Sequence, residues 1–293
     1  MFFRTRVPAK IVDMAYEALM EFARSGIPIF IVPGNHESSR LPPSLWLGAS
    51  NIYVFDRPRT FEITVSGYQV AMSGFPFARN DAGHRFKSLL AATGWQGTSA
   101  AIRLLCMHQA VEGAQFGPTN FTFRAGRDVV RMSDIPEEFA AVLTGHIHRR
   151  QVLNRPRGRG NLPVVYPGSI ERTSFAEKDE PKGFFEIGLA PDEAGTWWTD
   201  QMRFIEVPAR PMAEILIDPK TDSTSLRHYL TGRIAGLDKD SIVKLKLTSD
   251  VDGASRATLT MPFFRSIFPG SMDIQMGMEF YRDVLRAPNH ARE

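Results

Sequence analysis

A chain of 293 residues with 43% hydrophobic and 23% charged content can bury one large core or two unequal ones, which excludes a disordered or fibrous polypeptide. One cysteine excludes an intramolecular disulfide and suits a reducing compartment; Cys106, inside Leu104-Leu105-Cys106-Met107, reads as a small buried hydrophobe. The formal net charge of +3 and pI near 9.1 permit a nucleic-acid partner without requiring one.

The N-terminus, Met1-Phe2-Phe3-Arg4-Thr5-Arg6, carries charge where a signal peptide needs its apolar stretch, and no run approaches the ~20 apolar residues of a membrane span. A cytoplasmic protein without a membrane segment is expected. Pro8 at a first helical turn, Ile11, Ala15, Ala18, Leu19 and Phe22 at helical spacing, and Gly26 just beyond predict an amphipathic helix over 8–25. Pro28 to Val32 is a short apolar run ending at Pro33-Gly34, the pattern of a buried strand entering a turn. Alternation at Phe61, Ile63, Val65 and again at Tyr68, Val70, Met72 around Ser66-Gly67 predicts a hairpin. Further strands are expected over 102–107, 139–143, 149–153, 162–166, 184–189 and 203–207. Between the third and fourth of these, residues 154–161 form a loop rich in turn formers and arginine.

The pattern changes after Val207, where Pro208-Ala209-Arg210-Pro211 reads as a stiff connector. Ile215 to Ile217 predicts a strand, Ser223 to Ile234 a helix, and Val243, Leu245 and Leu247, alternating with Lys244 and Lys246, a half-exposed strand. Residues 1–207 are therefore expected to form one domain and 212–293 a small α+β accessory domain.

Four of the seven histidines fall in three short segments, each following an apolar run: Gly34-Asn35-His36-Glu37, Met107-His108-Gln109 and Gly145-His146-Ile147-His148. Strand ends let a rigid sheet hold imidazoles and a carboxamide around a metal. Two histidines one residue apart on a turn can face two neighbouring ions, which suits His146 and His148. Asn35 can offer a neutral carbonyl oxygen, and His36 can donate a proton or hydrogen bond to a phosphate oxygen. Glu37 fits a partner of these ligands. The ordered set suggests a metal-dependent phosphoesterase.

These segments resemble the later motifs of the calcineurin-like metallophosphoesterases. Tyr166-Pro167-Gly168-Ser169-Ile170-Glu171-Arg172-Thr173-Ser174-Phe175-Ala176-Glu177 is similar to the segment after the last metal motif in the SbcD nuclease family, the bacterial counterpart of the Mre nuclease of double-strand-break repair. Phe204-Ile205-Glu206-Val207-Pro208-Ala209-Arg210-Pro211 also resembles that family. The resemblance implies an α/β four-layer α/β/β/α sandwich followed by a DNA-contacting α+β cap. It implies two Mn²⁺ ions, phosphodiester hydrolysis by a metal-activated water, and an SMC-like ATPase of the SbcC type as partner, and it admits a homodimer. By motif position Asn35, His108 and His146 would bind one metal, His148 the other, and His36 would serve the reacting phosphate.

Family members begin with Asp-x-His and then Gly-Asp. Met1-Phe2-Phe3-Arg4 resembles what directly follows that Gly-Asp, so the sandwich is expected to be N-terminally incomplete here and to bind at most one divalent ion. Arg149, Arg150, Arg155, Arg157 and Arg159 follow the last metal motif, where a nuclease would place cations along a phosphate backbone. Two other readings are a DNA-binding or scaffold protein that keeps the fold without catalysis, and a small-molecule phosphoesterase of the same superfamily. Trp197-Trp198 is expected to pack between sheet and linker, and His84, His228 and His290 to be surface residues.

Overall fold

The computed structural model describes residues 7–36, 48–158, 160–249 and 259–277. The expectations on Met1 to Arg4, Glu37, Arg159 and His290 lie outside these residues. The chain divides into two compact units, residues 1–170 with 180–207, and residues 171–179 with 208–293.

In the first unit, helix α1 (Ala9–Arg24) starts after Pro8 and ends before Gly26, which takes the left-handed conformation with φ of 82°. It buries Met20 and Ala23 against the parallel pair β1 (Ile29–Ile31) and β2 (Ile52–Val54). The predicted hairpin forms as β3 (Arg59–Val65) and β4 (Tyr68–Gly74), with positive φ at Ser66 and Gly67 in its two-residue turn. Helix α2 (Ala82–Ala91) follows, then β5 (Ile102–Met107), the short hairpin β6 (Gln115–Phe116) and β7 (Phe121–Thr122), and β8 (Ala141–Thr144). Strands β9 (Gln151–Pro156) and β10 (Asn161–Tyr166) form a second antiparallel pair, so the arginine-rich stretch is strand as far as Pro156, and the loop is shorter than its composition suggests. The long pair β11 (Gly183–Pro191) and β12 (Trp197–Glu206) completes the unit.

Six of these strands make one sheet in the order β3-β4-β5-β8-β10-β9, with β4, β5, β8 and β10 parallel and an antiparallel strand at each edge. Period-two alternation sends successive side chains to opposite faces. Leu105 and Met107 join Phe75, Phe139, Val142, Leu162, Val164 and Tyr166 in the core under Phe86 and Leu90 of α2. Leu104 and Cys106 face the other way, with Val70, Met72 and Ile102, toward Phe30 and Val32 near β1, Leu189 of β11 and Trp197 of β12. The layers of this unit therefore run α1, the β1/β2 and β11/β12 strands, the six-stranded sheet, then α2, the four-layer α/β/β/α arrangement.

The second unit is a three-stranded parallel sheet, β13 (Met212–Ile217), β14 (Ile242–Leu247) and β15 (Asp273–Met276) in that order. Helix α3 (Ser223–Ala235) supplies the crossover between β13 and β14, as parallel neighbours require. Its N-cap, Asp222, accepts from the backbone amides of Thr224 and Ser225, and these bonds, that of Ser225 foremost, hold the carboxyl below its usual range. Ile215, Ile217, Leu226, Leu230, Val243 and Leu245 form the core with Phe264 of the short helix α4 (Met261–Arg265). Residues 171–179 belong to this unit although they precede β11: Arg172 donates to the Arg210 carbonyl at 3.0 Å, and the Arg210 amide donates to Glu171 at 3.2 Å. Among the described residues no helix is long and apolar enough to cross a membrane.

Candidate metal centre

The three histidine segments leave β1, β5 and β8, and the first two strands reach the site from different layers. Asn35 Oδ1 and His108 Nε2 lie 3.0 Å apart across a sequence separation of 73 residues. The rings of His108 and His146 have centroids 5.3 Å apart, and Phe77 packs on both, at 5.9 Å from His108 and 5.5 Å from His146. Asn35, His108 and His146 are thus brought together. His36 is exposed. Burial foremost, then the charges of His148 and His36, push His146 below the usual imidazole range, which keeps its ring neutral and able to act as a ligand.

Two local features show that this arrangement is built. His146 has φ of 83°, in the left-handed region that a histidine seldom adopts, and its buried Nδ1 has no hydrogen-bond partner among the described residues. An orphaned ring nitrogen beside a second imidazole and a carboxamide oxygen fits one borderline divalent ion. Before His146, Gly145 leaves room for the neighbouring ring: a Cβ there would sit 2.7 Å from His108 Nδ1. Among the described residues no three His, Cys, Asp or Glu side chains cluster as a metal site.

Loops behind the site hold it in place. The Thr144 hydroxyl and the Tyr166 phenol both donate to the Gln109 carbonyl, at 3.3 and 2.8 Å, while the Val111 amide donates to the phenol at 2.9 Å. Burial pushes the Tyr166 phenol up, so it remains a donor. The His148 carbonyl accepts from the Ser169 amide at 3.1 Å and from Lys182 Nζ at 3.3 Å. Lys182 is fully buried and also donates to Ser169 Oγ at 2.8 Å, with Glu180 at 3.5 Å. Gly168, at φ of 84°, passes so close that a Cβ would lie 2.6 Å from the His148 oxygen.

The arginines have varied settings. Arg149 donates to Glu180 at 3.0 Å, to Asn120 Oδ1 at 2.6 Å and to the Gly117 carbonyl at 3.0 Å. Arg150 is exposed, its guanidinium 4.4 Å from the centroid of the Phe204 ring. Arg155 is mostly buried, ion-paired with Glu137 at 3.1 Å and donating to the Met132 carbonyl. Arg157 donates to the carbonyls of Glu137 and Phe139. Trp197 is half-buried and meets Tyr68 edge-on at 4.7 Å, while Trp198 is more exposed. His84 and His228 are exposed. Phe77 and Lys182 had not been singled out by sequence reasoning.

A trough of about 550 Å³ opens beside His108 and Gly145. Its floor is the second face of the six-stranded sheet, with Met72, Leu104, Cys106 and Leu143, and its walls are Phe30 and Val32 on one side and Phe184, Ile187 and Leu189 on the other. No charged side chain lines it. The edges of β1 and β11 have no strand partner on this side among the described residues.

No family model matches the chain. It is similar to the DNA double-strand break repair protein Mre11 of Methanococcus maripaludis, with 24% identity over 227 residues, 73% of this chain and 55% of that protein. The chain thus spans about half the length of this curated relative. Among solved structures, a candidate 5'-nucleotidase from Staphylococcus aureus in complex with alpha-ketoglutarate matches with 14% identity and a TM-score of 0.43, over 85% of this chain and 50% of that one. A hypothetical protein from Thermus thermophilus matches with 11% identity and a TM-score of 0.36, over 67% of this chain and 94% of that one. Both structural likenesses are too loose to carry weight. The likeness to Mre11, joined to the ordered histidine segments, supports a resemblance to the calcineurin-like metallophosphoesterases. That family depends on divalent metal ions.

Proposed function

We propose that the protein is a metal-dependent phosphodiesterase acting on DNA, of the kind that serves double-strand-break repair beside an SMC-like ATPase in the cytoplasm. The observation that carries this reading is the convergence of Asn35 Oδ1, His108 and the orphaned Nδ1 of His146 at strand ends. Asn35, His108 and His146 hold one divalent ion in this reading, and His148 belongs to a second. When bound, such ions polarise a phosphate ester and lower the pKa of water. His36, exposed beside Asn35, donates a hydrogen bond or proton to a phosphate oxygen. Arg150 is the exposed cation next to the histidine loop, suited to a phosphate of the backbone. The second unit acts as the cap that contacts DNA. The other reading is a DNA-binding protein that keeps the fold without hydrolysis.

Metal stoichiometry and DNA cleavage, measured together, separate the two. Two nitrogens and a carbonyl oxygen favour the later divalent ions. The protein is therefore expected to bind Zn²⁺ or Ni²⁺ at this site, lost in His146→Ala, and to cleave DNA only with a divalent ion present. His36→Ala should slow cleavage while metal stays bound. Metal binding that His146→Ala leaves unchanged would overturn the ligand assignment. A protein that binds metal and DNA yet cuts nothing would favour the non-hydrolytic reading.

A further inference from the structure

The hairpin of β6 and β7 has a structure its two-residue strands do not by themselves explain. Phe116 and Phe121 are 47% and 54% exposed, and Phe123 beyond them packs on the core of the first unit. The three rings touch one another: Phe116 meets Phe121 at 5.4 Å edge-on and Phe123 at 5.4 Å nearly parallel, and Phe121 meets Phe123 at 5.5 Å. Exposed aromatic clusters are uncommon without a partner, because each ring leaves apolar area in water.

The hairpin is also tied to the histidine loop. Arg149, directly after His148, donates to Asn120 and to the Gly117 carbonyl at the hairpin turn, while Glu180 braces its guanidinium from behind. Gln151 and Gln115 exchange two hydrogen bonds of 2.8 Å, from the Gln115 amide to Gln151 Oε1 and from Gln151 Nε2 to the Gln115 carbonyl. The aromatic surface is therefore fixed relative to the segment that carries His146 and His148.

Charge selects the kind of partner. Residues 113–127 contain no Asp or Glu, and Arg124, one residue after Phe123, is exposed with no side-chain hydrogen bond or ion pair among the described residues. A rigid aromatic face beside a spare guanidinium matches a nucleic-acid strand, whose bases stack on rings while its phosphates take the cation. Duplex DNA hides its base faces, so only unpaired bases can use the rings.

We propose that Phe116, Phe121 and Phe123 form a stacking platform for unpaired nucleobases, so that the neighbouring metal centre takes DNA with a single-stranded or frayed end. This deepens the DNA reading above and rests on it. Base stacking on an aromatic side chain contributes about 1–3 kcal/mol per base, or a loss of about 5- to 150-fold in affinity when the ring is removed.

The test compares the wild-type chain, Phe116→Ala/Phe121→Ala and Phe116→Tyr/Phe121→Tyr on a single strand carrying 2-aminopurine and on a blunt duplex. The wild type is expected to bind the single strand and change the 2-aminopurine fluorescence on binding. The alanine pair should lose single-strand affinity by the factor above with duplex affinity changed less than twofold, and the tyrosine pair should retain both. Wild type that binds neither DNA would overturn the DNA reading itself and the platform with it. Binding by wild type that the alanine pair leaves unchanged would overturn the platform alone, and so would equal losses on both DNAs or a loss shared by the tyrosine pair. An alanine pair that binds DNA normally but dissociates a wild-type oligomer would assign the rings to a second copy of the chain instead.

Discussion

The two faces of the six-stranded sheet differ in how completely they are covered. Under α2 the side chains of Leu105, Met107, Phe75, Phe86 and Phe139 are buried in one continuous core. On the opposite face β1 and β11 border a trough of about 550 Å³, and its end reaches His108 and Gly145. One face is closed by packing, and the other is open beside the histidine segments. Parallel sheets collect their functional loops at strand ends in this way, with a rigid layer behind them.

The largest expected effect tests the closed face. Phe86→Ala removes a ring that meets Phe75 edge-on at 6.1 Å and should cost about 3–5 kcal/mol in urea unfolding. Leu143→Ala, on the trough floor, should cost on the order of 1 kcal/mol, because the side chain already borders open space and its removal creates little new cavity. Equal costs would mean that the two faces are packed alike.

A smaller effect is expected where the open face meets the histidines. In Gly145→Ala the new methyl group would lie 2.7 Å from His108 Nδ1 and displace that ring from Asn35. Affinity for Zn²⁺ should fall about 10- to 100-fold in a competition titration, while the unfolding midpoint moves less than in Phe86→Ala. Unchanged Zn²⁺ affinity would remove His108 from the ligand set.

The smallest effect concerns Cys106, which lies on the trough side of β5 but is buried. Burial pushes its thiol up to about 12 from 9.0, so it should resist alkylation in the folded protein at pH 8 and react on unfolding. A folded pKa above the unfolded one contributes stability that is complete below pH 9.0 and is lost as pH rises toward about 12. Unfolding titrations across that window should show wild type losing stability relative to Cys106→Ala. Rapid alkylation of the folded chain would show that water reaches this part of the open face.

Much of the framework follows from local rules. Helix α1 was legible from apolar spacing between Pro8 and Gly26, and the β3/β4 pair from alternation on either side of Ser66-Gly67. The histidine loops were legible because each follows an apolar run and ends it with a turn. Helix α2 and the β6/β7 hairpin were not. The hairpin strands are two residues each, too short for a period to register, and α2 buries only Ala82, Phe86 and Leu90.

The sequence by itself determined which residues stand at the strand ends, an asparagine and four histidines set there by local patterning. Only the tertiary structure decided what surrounds them. Lysine is ordinarily exposed, so nothing in its neighbours announces that Lys182 is buried against the His148 carbonyl. Arg149, Arg155 and Arg157 share a composition that suggests phosphate contacts, yet their donors meet Glu180, Glu137 and backbone carbonyls. Phe77 reaches both imidazoles because β4 and β5 are parallel neighbours in register, and Asn35 reaches His108 because β1 packs on the second face of the sheet. Period and turn chemistry act over a few residues, whereas these contacts join positions tens of residues apart and exist only once the layers have packed.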